Sequence, residues 1–203
     1  MPLNVIFDLD DFCEDFNDLD ILFKMKARWP DFKCTLFTIP MKCSPRFLQE
    51  IKQIPWIQMA VHGWEHIPVE CQAWSREDAR KFLRIAEKWG VFVKGFKAPM
   101  WRLSQGTVDA LTDEGWWLAD NSDPASNPNG VVCKDTLKRY FAGGNEMIPG
   151  RTYGNYHREH GHHNCLNCGN DVRQMYHIYL QRFPEDTKFF FIEDVLKQMY
   201  GGT

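Results

Sequence analysis

The amino-acid sequence predicts an α/β fold in which helices cover a parallel sheet or barrel. Short apolar segments alternate with amphipathic segments along most of the 203 residues, which is typical of repeated strand–helix units. Hydrophobic residues make up 44% of the chain and charged residues 25%, as in ordinary globular domains. The chain has no internal repeat and no linker between two cores, so residues 1–203 are expected to form a single domain.

The predicted elements follow one another in a regular order. Apolar, β-branched and aromatic residues indicate strands at 5–9, 34–39, 56–61, 91–96, 116–119 and 188–192. Helical periodicity indicates helices at 18–28, 46–53, 75–89, 105–113, 175–181 and 193–200. The third of these helices has the clearest ends, since Ser75 and Asp78 make a capping pair and Gly90 follows its last turn. The segment 122–130, rich in proline, asparagine and glycine, is expected to be a loop.

Composition excludes several functional classes. A net charge of −3 gives no basic surface for nucleic acid, and the longest apolar runs, such as 189–192, are too short to span a membrane. The N-terminus lacks the features of an export signal, which predicts a cytoplasmic or otherwise non-secreted protein. Seven scattered cysteines indicate free thiols; only Cys165 and Cys168 have the spacing of a metal or redox pair.

Residues that can bind a cation follow two of the predicted strands. Three carboxylates, Asp8, Asp10 and Asp11, come at the end of the first strand, and His62 and His66 come at the end of the third. In parallel α/β folds the chemistry lies at the carboxyl ends of the strands, so these groups are expected to meet. One carboxylate and two imidazoles can bind a metal and leave positions open for water and substrate. The alternatives are a solvated acidic loop and a coincidental histidine pair.

Further polar and aromatic residues follow the later strands. Lys97 could pair with the carboxylates and Trp101 could stack on a sugar ring, or the two could belong to a rigid turn. Asp120 and Asp123 follow the fifth strand, as functional acids or as turn caps. The histidine-rich run 157–163 indicates metal binding or a general acid, with an exposed loop as the alternative.

Taken in order, these blocks resemble the polysaccharide deacetylases of the NodB-homology type, carbohydrate esterase family 4. The resemblance covers about residues 4–165 and implies an incomplete (β/α) barrel of about seven parallel strands. The segments that carry it are Leu9-Asp10-Asp11, His62-Gly63-Trp64-Glu65-His66, Lys97-Ala98-Pro99-Met100-Trp101, Trp117-Leu118-Ala119-Asp120 and Glu159-His160-Gly161-His162.

The resemblance implies a metal-dependent hydrolase that removes an acetyl group from an N-acetylated or O-acetylated carbohydrate or a related small amide. In this family pattern Asp11, His62 and His66 would bind one divalent transition metal, with zinc as the first choice and nickel, cobalt or manganese as alternatives. Asp10 would be the general base, with Asp8 as the other candidate. The expected partner is an N-acetylated sugar or glycan, without nucleic acid or membrane.

The same resemblance implies the remaining roles. His160, with His162 as the alternative, would protonate the departing amine. Lys97 stands where the family has the arginine that orients its base, and a lysine cannot reproduce the planar fork of an arginine. The backbone N–H of Met100 would help to hold the oxyanion. The residues expected to contact the substrate are Met100, Trp101, Trp64 and Asp120.

Two other readings compete with this one. The first strand, 5–10, also resembles the opening of haloacid-dehalogenase-type phosphatases, in which Asp8 would be the nucleophile and Mg²⁺ the cofactor. That reading leaves His62 and His66 unexplained, and Phe12 stands where a small hydroxyl residue is usual. The second alternative is a barrel that binds sugar without catalysing its hydrolysis.

Overall fold

The computed structural model of the protein describes residues 2–120, 130–141, 152–153, 155–163, 170–178 and 180–201. Asp123, Cys165 and Cys168 lie outside the described residues, as does the predicted loop except for Gly130. The cysteines that are described are free thiols. Among the described residues, no helix is long and apolar enough to cross a membrane.

A curled sheet of mostly parallel strands forms the centre of the structure. Seven parallel strands lie in the order β6-β5-β4-β3-β2-β1-β8, β7 is antiparallel to β8, and β9 pairs with the beginning of β1. This arrangement confirms the predicted incomplete barrel. The strands are β1 (Asn4–Phe12), β2 (Cys34–Thr38), β3 (Ile57–His62), β4 (Gly95–Lys97), β5 (Trp117–Asp120), β6 (Arg139–Phe141), β7 (Thr152–Tyr153), β8 (Tyr156–His162) and β9 (Lys188–Phe190).

Helices connect most of these strands; each begins close to its predicted position except the short α3, which was not predicted. The capping box of Ser75 and Asp78 is present, and Gly90 ends the same helix with a φ of 64°, a left-handed conformation that glycine adopts readily. The helices are α1 (Leu19–Arg28), α2 (Pro45–Lys52), α3 (Glu70–Ala73), α4 (Arg76–Trp89), α5 (Gln105–Asp113), α6 (Val172–Ile178) and α7 (Ile192–Tyr200).

The interior of the curled sheet is packed with side chains from strands that are not neighbours. Phe37 of β2 and Trp117 of β5 lie edge to face with their ring centroids 6.1 Å apart. Tyr140 of β6 donates a hydrogen bond to Asp8 of β1 at 3.0 Å, although four strands separate β6 from β1 in the sheet. The sheet must therefore curve until its inner faces meet, as in a barrel.

Strands β6 and β7 were not predicted, and three further differences from the sequence prediction lie close to the candidate site. The strand predicted at 91–96 begins only at Gly95, because the N–H of Gly95 bonds to the carbonyl oxygen of Val93 at 2.7 Å and turns the chain. Strand β1 continues to Phe12 and therefore contains the three aspartates. The histidine-rich run is strand β8 rather than an exposed loop, and it lies beside β1.

Candidate metal and catalytic site

The pairing of β1 with β8 brings aspartates and histidines together. Asp8 lies opposite His160, and Asp10 lies opposite His162, in the parallel register. Because alternate residues of a strand face the same side, two aspartates and two histidines share one face of the sheet. All four side chains are buried or half-buried, so their charges interact strongly in this confined space.

A bulge places Asp11 on the same side as Asp10. The register of β1 against β2 shifts between Leu9 and Phe12, and Asp11 has a φ of 65°. This interrupts the alternation of the strand, so two consecutive carboxylates approach one imidazole. The Nε2 atom of His62 lies 3.4 Å from Asp11 Oδ1 and 3.8 Å from Asp10 Oδ2.

Asp11, His62 and His66 form a compact group of possible metal ligands. One donor atom from each lies within 4.8 Å of the others, and His66 Nε2 is 2.9 Å from Asp11 Oδ1. Asp11 Oδ1 is buried and accepts no hydrogen bond of good geometry among the described residues. His62 Nδ1 lies 3.1 Å from the carbonyl oxygen of Lys97, which favours the tautomer whose Nε2 lone pair faces Asp11. These features fit a divalent cation held by one carboxylate and two imidazoles.

The electrostatics of the group are those of an ionised carboxylate among imidazoles. Burial raises the pKa of Asp11, but contacts with His162, His62 and His66 outweigh it and hold that pKa well below its usual range. Burial lowers the pKa of His66 and of His162, but the contact with Asp11 outweighs it and raises both. Because a metal binds neutral imidazole, protons and metal compete for this group.

Lys97 is the counter-charge of Asp10. Its Nζ lies 2.7 Å from Asp10 Oδ1 and 3.9 Å from Asp8 Oδ1, with only 1% of the residue exposed. The ammonium also lies over the rings of Trp101 and Phe37, at 4.3 Å and 4.9 Å from their centroids. Burial raises the pKa of Asp10, but Lys97 and the nearby histidines outweigh it, so the pKa lies well below its usual range.

His160 is held by Asp8. The distance from His160 Nδ1 to Asp8 Oδ1 is 2.6 Å, and the other oxygen of Asp8 accepts the hydrogen bond from Tyr140. Asp8 has no exposed surface. This places the Nδ1 proton of His160 toward Asp8, while Nε2 lies 3.7 Å from Asp10 Oδ2.

His162 contacts the other side of the same ligand group. Its Nδ1 lies 3.3 Å from Asp11 Oδ2, whereas His62 and His66 lie against Oδ1. An imidazole bonded to the outer oxygen of a ligating carboxylate orients that carboxylate. The position of His162 therefore favours an orienting role over that of the general acid.

The shape of the chain is shared with solved structures of low sequence identity. They include the CE4 domain of a multidomain xylanase from the hindgut metagenome of Trinervitermes trinervoides (14% identity, TM-score 0.60, covering 100% of this chain and 93% of that one). A family 4 acetyl xylan esterase from Clostridium thermocellum, in complex with cobalt, matches at 14% identity and TM-score 0.59, over 98% of this chain and 92% of that chain. The Bc1960 peptidoglycan N-acetylglucosamine deacetylase matches at 15% identity and TM-score 0.60, over 95% of this chain and 87% of that chain.

This chain has the fold of the family 4 carbohydrate esterases. The resemblance predicted from the sequence is confirmed at that level. No family model matches the sequence, and neither does any curated protein. A further structure with the same fold, from Bacillus anthracis, is described as a family 4 pseudoenzyme, so the esterase fold does not by itself show activity.

The rim of the site in this esterase fold contains two of the four residues predicted to contact substrate. Met100 is 57% exposed, and the ring of Trp101 is half-buried with its centroid 6.3 Å from that of His160. Both residues adopt left-handed backbone conformations, with φ values of 54° and 60°. They come shortly after β4, and the Trp101 ring lies beside Lys97 and His160.

The other two predicted contacts have different surroundings. Trp64 is only 7% exposed because its ring packs on Phe82 and Trp89, so it offers no open face to a sugar and is removed from the predicted substrate-binding residues. Asp120 is half-buried and its carboxylate pairs with Arg139 of β6. A strand end alone could not distinguish a residue facing the site from one packed against a helix.

The phosphatase alternative does not fit the geometry. It needs Asp8 to attack a phosphorus atom, but Asp8 is fully buried and both of its oxygens are bonded, to His160 and Tyr140. Tyr140 was not among the residues predicted from the sequence. Its segment carries no motif, and only the curvature of the sheet brings it to β1.

Proposed function

We propose that this protein is a metal-dependent deacetylase that removes an acetyl group from an N-acetylated, or O-acetylated, carbohydrate or a related small amide. One observation carries the proposal. The Asp11, His62 and His66 group lies directly beside a buried carboxylate paired with Lys97 and a histidine paired with Asp8. A metal ligand group, a base and an acid within one site are the parts that amide hydrolysis needs.

The ligand group fits a transition metal better than magnesium. Two imidazoles and one carboxylate suit zinc, cobalt or nickel, whereas Mg²⁺ prefers oxygen ligands. A divalent ion bound there would polarise the acetyl carbonyl and lower the pKa of a bound water. The cobalt complex of the Clostridium thermocellum esterase supports this choice of metals, and zinc is the first candidate.

Asp10 is the proposed general base. Its lowered pKa keeps it ionised at neutral pH, and Oδ1 is fixed by Lys97 while Oδ2 faces His62. The Asp10 carboxylate would take a proton from the water while the oxygen of that water bonds to the acetyl carbon. Lys97 orients the base with a single point charge, so it fixes one oxygen and leaves the second free to accept the proton.

His160 is the proposed general acid. Asp8 holds its Nδ1, so the protonated imidazole can present Nε2 to the site and deliver that proton to the departing amine as the C–N bond breaks. Asp8, buried behind the imidazole, orients the ring in the way that a buried aspartate orients a catalytic histidine. The products would be acetate and a free amine.

Release of acetate and amine across N-acetylated sugars of increasing length tests the proposal. The protein is first stripped of metal and then reconstituted with zinc, cobalt, nickel or manganese. Asp10→Asn should keep the metal and lose at least about 10²-fold in turnover, because the base is gone. The matched control is Asp31→Asn, which changes an exposed carboxylate outside the site.

Two outcomes would contradict the proposal. A metal-loaded protein that binds these sugars but releases no acetate would be a non-catalytic sugar-binding barrel. A phosphatase activity that depends on Mg²⁺ and is lost in Asp8→Asn would instead favour the haloacid-dehalogenase reading.

A further inference from the structure

Glu70, at the beginning of α3, holds the loop that carries one of the metal ligands. Its carboxylate accepts hydrogen bonds from three consecutive backbone N–H groups, those of Trp64 (2.9 Å), Glu65 (3.1 Å) and His66 (3.0 Å). Only 7% of Glu70 is exposed. We propose that Glu70 is a positioning residue that sets His66 for metal binding; this inference rests on the metal site proposed above.

The loop needs such a partner because of its shape. Gly63 and His66 both have left-handed backbone conformations, with φ values of 63° and 60°. The chain therefore turns sharply after β3, and His66 approaches His62 without a helix between them, with ring centroids 4.9 Å apart. The turn directs three N–H groups toward one point, and a single buried carboxylate satisfies all three.

Glu70 and Gly63 fit closely against each other. A Cβ atom at position 63 would lie 2.0 Å from Glu70 Oε1 and 2.8 Å from Cγ of Pro99. No side chain can occupy that space while the carboxylate is in place. The absence of a side chain at position 63 therefore allows Glu70 to reach the loop backbone.

The two histidine ligands depend on Glu70 to different degrees. His62 is part of β3, is almost fully buried and is fixed at Nδ1 by the carbonyl oxygen of Lys97. His66 lies beyond the strand and is half-buried, and its backbone N–H bonds to Glu70. Loss of the Glu70 carboxylate should therefore move His66 relative to Asp11 and leave His62 in place.

Metal affinity of Glu70→Gln tests this inference. The side-chain amide keeps the size of the carboxylate but puts an N–H₂ group against backbone N–H groups. We expect affinity for Zn²⁺ or Co²⁺, measured by competition with a chelator, to fall by about 10–100-fold, as for other residues that support a ligand. The control Glu65→Gln removes the same charge from an exposed side chain in the same loop and should change affinity less than about twofold.

A double variant separates positioning from general weakening. If Glu70 acts through His66, then Glu70→Gln should weaken metal binding less than about twofold in a His66→Ala background. Equal losses in both backgrounds would overturn the inference. So would wild-type affinity in Glu70→Gln.

Hydrogen exchange in the metal-free wild-type protein gives a readout that needs no variant to fold. The amides of Trp64, Glu65 and His66 should exchange slowly although they lie in a loop. Rapid exchange of all three would contradict the inference. If wild-type protein holds no metal at all, the proposed function fails, whereas slow exchange with wild-type affinity in Glu70→Gln defeats only the role of Glu70.

Discussion

Replacement of Lys97 by methionine would remove the cation that lies between buried carboxylates. Lys97 Nζ is 2.7 Å from Asp10 and 3.9 Å from Asp8, and all three residues are less than 5% exposed. Methionine keeps much of the length and volume of the stem, including its contacts with Phe37 and Trp101, while it removes the charge. The variant therefore tests the ion pairs rather than the packing.

The expected cost follows from the burial. Removing one partner of a buried ion pair leaves an uncompensated charge and costs about 3–5 kcal/mol. For a chain of 203 residues, each kcal/mol lowers the melting temperature by about 2–4 °C, so Lys97→Met should melt about 6–20 °C below wild type at pH 7. The control Lys81→Met, at an exposed position on α4, should change the melting temperature by no more than about 2 °C.

The loss of stability in Lys97→Met should depend on pH. In the wild type the pKa of Asp10 is lowered by folding, so its contribution to stability is present above the ordinary aspartate pKa of about 4 and is lost as pH falls through the lower folded-state value. Without Lys97 the largest lowering contribution is gone while the burial stays, so the pKa of Asp10 would rise from its wild-type value. The deficit of Lys97→Met should then be largest near pH 7 and shrink as pH falls toward about 4.

Thermal unfolding of metal-free protein between pH 4 and pH 8, followed by circular dichroism, measures this effect. A melting temperature for Lys97→Met within about 2 °C of wild type at pH 7 would refute the reasoning. A deficit that does not change with pH would show that the loss comes from packing instead of charge.

Four other substitutions test separate contacts. His160→Ala should lower turnover by about 10²–10⁴-fold and leave metal affinity unchanged. His162→Ala should weaken metal binding by about tenfold or more in a chelator competition. The reverse pattern would show that the two histidines have each other's proposed role. Tyr140→Phe removes a hydrogen bond to the buried Asp8 carboxylate and should lower the free energy of unfolding in urea by about 1.5–3 kcal/mol, so an unchanged value would argue against that bond. Trp64→Ala should lower the free energy of unfolding by about 3–5 kcal/mol in the same assay. Wild-type stability together with a raised KM would instead indicate that Trp64 stacks on the substrate.

The parts of the fold that depend on local sequence were predictable. Strands β2 and β3 are short runs of apolar and β-branched residues, and α4 has both a capping box and a terminal glycine. Strand β8 was missed because its sequence, Tyr156 to His162, is polar throughout, and a strand that lines a site does not follow the apolar pattern of a core strand. Its place beside β1 depends on pairing between residues more than 150 positions apart.

Some residues of the candidate site could be predicted from the sequence and others could not. Asp11, His62 and His66 were found because each lies at the end of a predicted strand and belongs to a short local motif. The link between Asp8 and His160 could not be found, since it exists only through the register of β1 against β8. Glu70 carries no motif either, and its role depends on the left-handed turn that precedes it.

The most direct test of the central claim is acetate release by chelator-stripped protein as zinc or cobalt is added back, with an N-acetylated oligosaccharide as substrate. Because one group of three ligands is proposed, activity should be absent without metal and should saturate at about one ion per chain. His66→Ala should require much more metal to reach its own maximum. Acetate release that proceeds equally well without metal, or that His66→Ala leaves unchanged, would contradict a metal-dependent deacetylase.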